Sequence, residues 1–152
     1  MRHVRFVFDA PDTDKATAYA RVSDFARYPD FTDQVVAIDL GAIEGSGVVS
    51  TWAVKFRKGL LRWTERDTFT PESGRIDFVQ LSGDFAEFSG SWQVIDTDSG
   101  VEVVFDADFD LGIPTLADIL DPVAENALRE NITLILNGLL GVVREIEPSH
   151  SA

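Results

Sequence analysis

Few side chains in this 152-residue chain are able to do chemistry. There is no cysteine, which excludes disulfides, thiolate metal sites and a Cys nucleophile, and leaves the redox compartment open. The two histidines, His3 and His150, stand at opposite ends, so neither a His-centred triad nor a histidine-ligated metal is supported. Gly45-Ser46-Gly47 lacks the lysine and helix of a phosphate loop. Asp106, Asp108 and Asp110 alternate along one strand as a solvated face, without a calcium-binding loop. No metal and no cofactor are expected. Glu65-Arg66-Asp67 is a run of three charges inside a candidate strand. A guanidinium stays charged at any working pH, so Arg66 can hold an anionic oxygen, a service worth about 3 kcal/mol. Glu65 beside it can act as a base. The competing reading has Arg66 pairing with Glu65 or Asp67 on the outer face of a sheet. Strand parity groups Arg66 with Arg62 and Thr64, opposite Trp63 and Phe69, and a bulge near Gly59 or within 62–67 would exchange the two faces.

The elements that must position these residues follow from periodicity. Arg2 to Phe8 is β-branched and aromatic and stops at Asp9-Ala10-Pro11-Asp12, as a first strand does. Thr13 or Asp14 can cap a helix running through Ala16, Ala18, Ala20 and Val22, and Ser23 to Asp33 suggests a second short helix interrupted at Pro29. From Val35 to Leu111 the turn signals at 41–47, 58–59, 71–74, 82–84 and 96–100 divide the chain into six strands. Short connections make consecutive strands antiparallel. Thr115 to Glu147 reads as a long helix in which Leu128, Ile132, Ile135, Leu139, Val142 and Ile146 form one apolar stripe, with a kink or restart at Pro122. The expectation is an α+β domain: a curved sheet of seven antiparallel strands wrapped around a long C-terminal helix, with two short helices after the first strand. Between sheet and helix a ligand cavity is expected. Its wall draws on Trp52 and Phe56 of one strand, Ile76, Phe78 and Gln80 of another, and Phe88, Gly90 and Trp92 of a third. The same aromatic alternation also suits a plain core. Gln80 stands out, because an amide in such a row needs a partner.

Composition bounds the function. A net charge of −13 with 45% hydrophobic residues describes one acidic globular domain. Nucleic acid and anionic membranes are poor partners for such a charge. The basic N-terminus is followed by an apolar run too short for a signal peptide, and no segment reaches the roughly 20 apolar residues of a membrane span, so a soluble, cytoplasmic protein is expected.

Four stretches carry a family resemblance: Val22-Ser23-Asp24-Phe25-Ala26-Arg27-Tyr28-Pro29, Trp63-Thr64-Glu65-Arg66, Ser82-Gly83-Asp84-Phe85 with Phe88, Gly90 and Trp92, and Ala107-Asp108-Phe109. With the element order, they resemble the helix-grip fold of the START-like (birch-pollen-allergen-like) superfamily, and within it the polyketide cyclase/dehydrase and aromatase branch. The resemblance implies one ligand-cavity domain over residues 1–147, followed by a flexible tail over 148–152. It implies cofactor-independent ring closure or dehydration of a polycarbonyl chain, free or tethered to an acyl carrier protein, by a monomer or homodimer. Arg66 matches the strand-borne arginine that such enzymes use as acid or enolate stabiliser. The second cavity arginine of some relatives is missing, since that region reads Phe78-Val79-Gln80-Leu81. Tyr28 falls where the family places an aromatic at the pocket entrance, with a hydroxyl free to meet a ketone or to pack the loop. Asn131 falls among the family's polar cavity positions, and Trp52, Phe56, Trp63, Phe78, Gln80, Phe88, Trp92, Phe105 and Phe109 complete the expected binding set. Arg2, Arg5, Arg57, Lys58 and Arg62 would need to form one basic patch for an acidic carrier protein to dock. The same superfamily includes carriers of quinones and lipids, which keeps a non-catalytic binding protein as the alternative, with a protein-interaction module as a third.

Overall fold

The computed structural model describes residues 1–45 and 47–146, with the side chains of 42–44 left out; the proposed tail over 148–152 and His150 lie outside the described residues. In chain order the elements are β1 (Arg2–Pro11), α1 (Lys15–Val22), a 3₁₀ turn (Phe25–Asp30), β2 (Val35–Glu44), β3 (Gly47–Phe56), β4 (Gly59–Thr70), β5 (Arg75–Gly83), β6 (Glu87–Asp96), β7 (Gly100–Asp110), α2 (Ala117–Leu140) and β8 (Arg144–Ile146). The strands form one sheet in the order β2-β3-β4-β5-β6-β7-β1-β8. Six sequential hairpin strands arise because each turn signal returns the chain beside its predecessor; β1 then closes onto β7 over its whole length.

Three expectations are corrected. The sheet has eight strands instead of seven, because Arg144–Ile146 pairs with β1 instead of extending the helix. The helix stops at Leu140: Gly141 takes φ 82°, and the Asn137 side chain accepts a hydrogen bond from the Val143 N–H at 3.0 Å. Val142, assigned to the apolar stripe, is consequently 87% exposed. Nor does the helix begin at Pro122, which lies inside α2. Asp14 is the cap of α1, accepting from the Thr17 N–H at 2.8 Å, and Pro29 is accommodated within the 3₁₀ turn.

One face of α2, through Asn131, Ile132, Ile135, Leu136 and Leu139, packs on the inward row of the sheet, where Phe6, Phe8, Ile76, Phe78, Trp92, Val103 and Phe105 are buried. Gly138 leaves room for a ring, since a Cβ there would lie 2.0 Å from Phe31. On the other face Asp106 and Asp108 are partly covered by Arg5 and His3 of β1.

Candidate functional site

β3 and β4 form an unbroken antiparallel ladder from Gly47↔Thr68 to Phe56↔Gly59, so side chains alternate strictly along both strands. That alternation sends Ser50, Trp52 and Val54 of β3, and Trp63, Glu65, Asp67 and Phe69 of β4, toward α2. It sends Arg66 the other way. Arg66 is exposed and does not line the cavity, so the enolate-holding role expected of it is corrected on geometry. The one register shift along β4 is on the β5 side, between Thr64 and Glu65, where the extra residue belongs to β5 and leaves β4 parity unchanged.

The inward row builds a compact polar network. Trp52 and Trp63 face each other across the ladder and stack with ring centroids 5.9 Å apart and planes 1° apart. Each indole N–H reaches two residues along its own strand. Trp52 Nε1 donates to Ser50 Oγ at 2.8 Å, and Trp63 Nε1 donates to Glu65 Oε1 at 2.7 Å. Ser50 in turn donates to Asp67 Oδ2. Ser50, Glu65 and Asp67 are buried to 0%, 5% and 0% exposure. Burial pushes the Glu65 carboxyl well above the usual carboxylate range; the adjacent Asp67 adds to the rise and the Trp63 N–H opposes it. Burial also raises Asp67, against the hydrogen bonds of Glu65 and Ser50.

Glu65 lines a cavity between the sheet and α2 whose space open to the centre of a water molecule is about 120 Å³. Apart from Lys55 and Asn131, the rest of its wall is aromatic and aliphatic. Tyr28, Trp52, Phe56, Trp63, Phe78, Phe88, Trp92, Phe105, Phe109 and Asn131 of the expected set line it, together with Phe25, Phe85, Leu128, Ile132 and Ile135, which lie outside that set. Gln80 does not line it: its amide nitrogen donates to the Phe85 carbonyl at 3.0 Å, and its Oε1 is buried without a partner among the described residues. Asn131 accepts from the Thr32 hydroxyl at 3.0 Å, and its amide nitrogen makes no hydrogen bond among the described residues. The Tyr28 hydroxyl is committed to the Val22 carbonyl, so its ring faces the cavity and its proton does not. Burial holds that phenol well above its usual value, with Glu65, Asp67 and Asp24 adding to the rise. Two other polar residues of α2, Asn126 and Arg129, lie outside the lining, Arg129 pairing with Glu145 at 3.0 Å.

Exposed Lys55 and partly exposed Phe56 and Leu61 at the β3–β4 hairpin, with partly exposed Phe85 after β5 and Ala124, Ala127 and Leu128 on α2, mark the mouth. The five-cation patch is not formed. Three strands separate β4 from β1, where Arg2 pairs with Glu125 and Arg5 with Asp106. Lys55, Arg57, Lys58 and Arg62 instead share the mouth hairpin.

Among the described residues no group of three or more acidic or histidine side chains could hold a metal, and no helix is long and apolar enough to cross a membrane. A curved antiparallel sheet closing on one long helix around an apolar cavity is the helix-grip architecture of START-like proteins. The family described as polyketide cyclase/dehydrase and lipid transport matches residues 13–134, and the chain belongs to it. No curated protein matches it in sequence. Among solved structures, TTHA0849 from Thermus thermophilus is 24% identical at TM-score 0.80, over 91% of this chain and 94% of that one. The Zhui aromatase/cyclase from Streptomyces sp. R1128 is 18% identical at TM-score 0.75, over 92% of each chain. A START superfamily protein from Mycobacterium smegmatis is 18% identical at TM-score 0.69, over 91% of this chain and 96% of that one. At these identities the likeness concerns the fold.

Proposed function

We propose that this protein binds a polyketide-like polycarbonyl molecule and acts on it as a cofactor-independent cyclase or dehydratase, with Glu65 moving the proton. The observation that carries this reading is one buried carboxyl, raised in pKa, in a cavity walled by aromatic rings. Aldol closure and dehydration both take a proton from a carbon beside a carbonyl and return one to oxygen, and a carboxyl raised well above its ordinary value suits both transfers. Rings packed on either side hold a flat, folded chain near its reactive conformation, which supplies rate through proximity. The Asn131 amide offers a carbonyl oxygen a second donor.

The cavity is comparable with the roughly 150 Å³ apolar site that takes up one benzene. A longer chain therefore places its reacting end inside and leaves the remainder in the mouth. There Lys55, with Arg57 and Lys58 of the hairpin turn, gives an acidic carrier protein a cationic rim on an otherwise anionic molecule. The work is assigned to the cytoplasm.

A second reading, a carrier for a quinone, lipid or finished polyketide, draws on the apolar lining and on the family's lipid-transport members. Glu65→Gln separates the two. For an enzyme, turnover of a poly-β-keto substrate falls by about 10²-fold or more while binding stays within a few-fold. Undiminished turnover in that variant overturns the catalytic reading, and ligand binding without turnover in the wild type supports the carrier.

A further inference from the structure

Asp67 is as deeply buried as any residue of the chain, yet it does not line the cavity. Its Oδ2 accepts from Ser50. Its Oδ1 is buried with no donor among the described residues. Glu65, two residues away on the same inward face, uses Oε1 for the Trp63 N–H, and Ser50, its partner across the β3–β4 ladder, is the residue that donates to Asp67, so the two carboxyls belong to one buried network. Two ionised carboxylates in this position would repel each other and leave buried oxygens unmatched; a single proton between them turns the repulsion into a hydrogen bond. The surroundings offer little other compensation. Ser50 faces Glu65 from β3 and Gln80 faces it from β5, both neutral; Tyr28 lies on the 3₁₀ turn and Asn131 on α2. Lys55, exposed at the mouth, is the cation in the cavity lining among the described residues.

The network also decides which partner keeps the proton. The Trp52 N–H occupies the Ser50 oxygen as an acceptor, so the hydroxyl proton of Ser50 is free for Asp67 and stabilises its negative charge. Glu65 has one indole donor and an apolar cavity beside it.

We infer that Glu65 and Asp67 hold one proton between them, resting on Glu65, and that Asp67 is the positioning residue that makes Glu65 reversible as acid and base. This rests on the reading of Glu65 as the group that meets the ligand. Moving the proton across the carboxyl–carboxyl hydrogen bond leaves Glu65 ionised beside a neutral Asp67, and the charge of the pair stays at one negative. Glu65 then takes the proton from the carbon next to a ligand carbonyl, leaving an enolate and a doubly protonated pair. In ring closure the enolate carbon bonds to a second carbonyl carbon, and Glu65 protonates the resulting alkoxide. In dehydration the C–O bond breaks and the departing hydroxide leaves as water with the same proton. Either way the pair ends with the one proton it began with, and no other reagent is consumed.

The test uses the full-length ligand-free protein labelled with ¹³C at the Glu and Asp carboxyl carbons and titrated by NMR. The expected result is one Glu carboxyl that titrates well above the ordinary Glu value of 4.5, absent in Glu65→Gln. In Asp67→Asn the like-charged neighbour is gone, and the proton affinity of Glu65 falls about tenfold or more. Should Asp67→Asn not fold, Ser50→Ala serves: the Asp67 charge loses its donor, and acid character moves in part from the Glu to an Asp signal. The inference is overturned if the wild type has no Glu carboxyl titrating above the ordinary Glu range, if the signal survives Glu65→Gln, or if neither Asp67→Asn nor Ser50→Ala shifts it. Because no ligand is present, an absence of cyclase activity does not alter this outcome. A negative titration leaves Glu65 to act alone in the proposed reaction.

Discussion

Replacing Tyr28 by Phe asks whether its hydroxyl serves the fold or the ligand. The hydroxyl donates at 2.5 Å to the carbonyl of Val22, the last residue of α1, where helix carbonyls have no partner within the helix. The phenol is 1% exposed, so water does not replace the lost donor. A neutral hydrogen bond contributes about 1 kcal/mol net, and stranding a buried carbonyl costs about 1–3 kcal/mol, so the variant should lose about 2 kcal/mol. Against a urea dependence of about 2 kcal/mol per molar for a domain of this size, the unfolding midpoint falls by about 1 M. The aromatic ring remains in the wall, so affinity for an apolar ligand and turnover should stay within a few-fold. Urea unfolding followed by far-UV circular dichroism, with ligand titration on the same preparations, checks both halves. An unchanged midpoint together with a tenfold loss of turnover would refute the reasoning and return the hydroxyl to the chemistry.

Arg66→Ala, on the outward face of β4, should leave turnover and ligand affinity within about twofold, with a stability change below about 1 kcal/mol; a hundredfold loss of turnover would mean that the arginine reaches the ligand. Gly90→Ala should be destabilised by about 1–3 kcal/mol or fail to fold, because the new Cβ would lie 2.2 Å from the Asp106 carbonyl oxygen and 2.8 Å from Ala107 Cα; an unchanged melting temperature would contradict that register. Glu65 is raised in the folded state, so the fold binds more protons than the unfolded chain above the ordinary Glu value of 4.5, and stability contributed by the neutral acid is lost as pH rises toward the folded value. Wild type should therefore lose stability relative to Glu65→Gln from about pH 5 upward, and parallel midpoints for the two proteins across pH 5–8 would count against the raised carboxyl.

Much of this arrangement is legible in the alternation of the strands. Trp52, Phe78, Phe88, Trp92, Phe105 and Phe109 fall on one face by counting in twos, and each lines the cavity. The same count places Arg66 opposite Trp63, and the family resemblance pulls it inward against that parity. Asp67 and Ser50 escape a reading of the sequence although counting places them beside Glu65 and Trp52. A carboxylate next to an arginine suggests a surface ion pair, and sequence alone does not distinguish that from a buried acid on the opposite face. β8 escapes it for a different reason: three residues after a helix carry too little periodicity to separate a strand from a last helical turn, and the positive φ at Gly141 decides it.

The three tryptophans of the chain are Trp52, Trp63 and Trp92, and all of them line the cavity. Indole emission from this protein therefore comes entirely from the chamber wall, with no background from elsewhere in the molecule. A quinone or conjugated polycarbonyl entering the chamber is a quencher within touching distance of every emitter. Because one indole N–H rests on the Glu65 carboxyl, the same light also reports the ionisation of that acid, and occupancy and protonation can be followed on the unlabelled, unmodified chain.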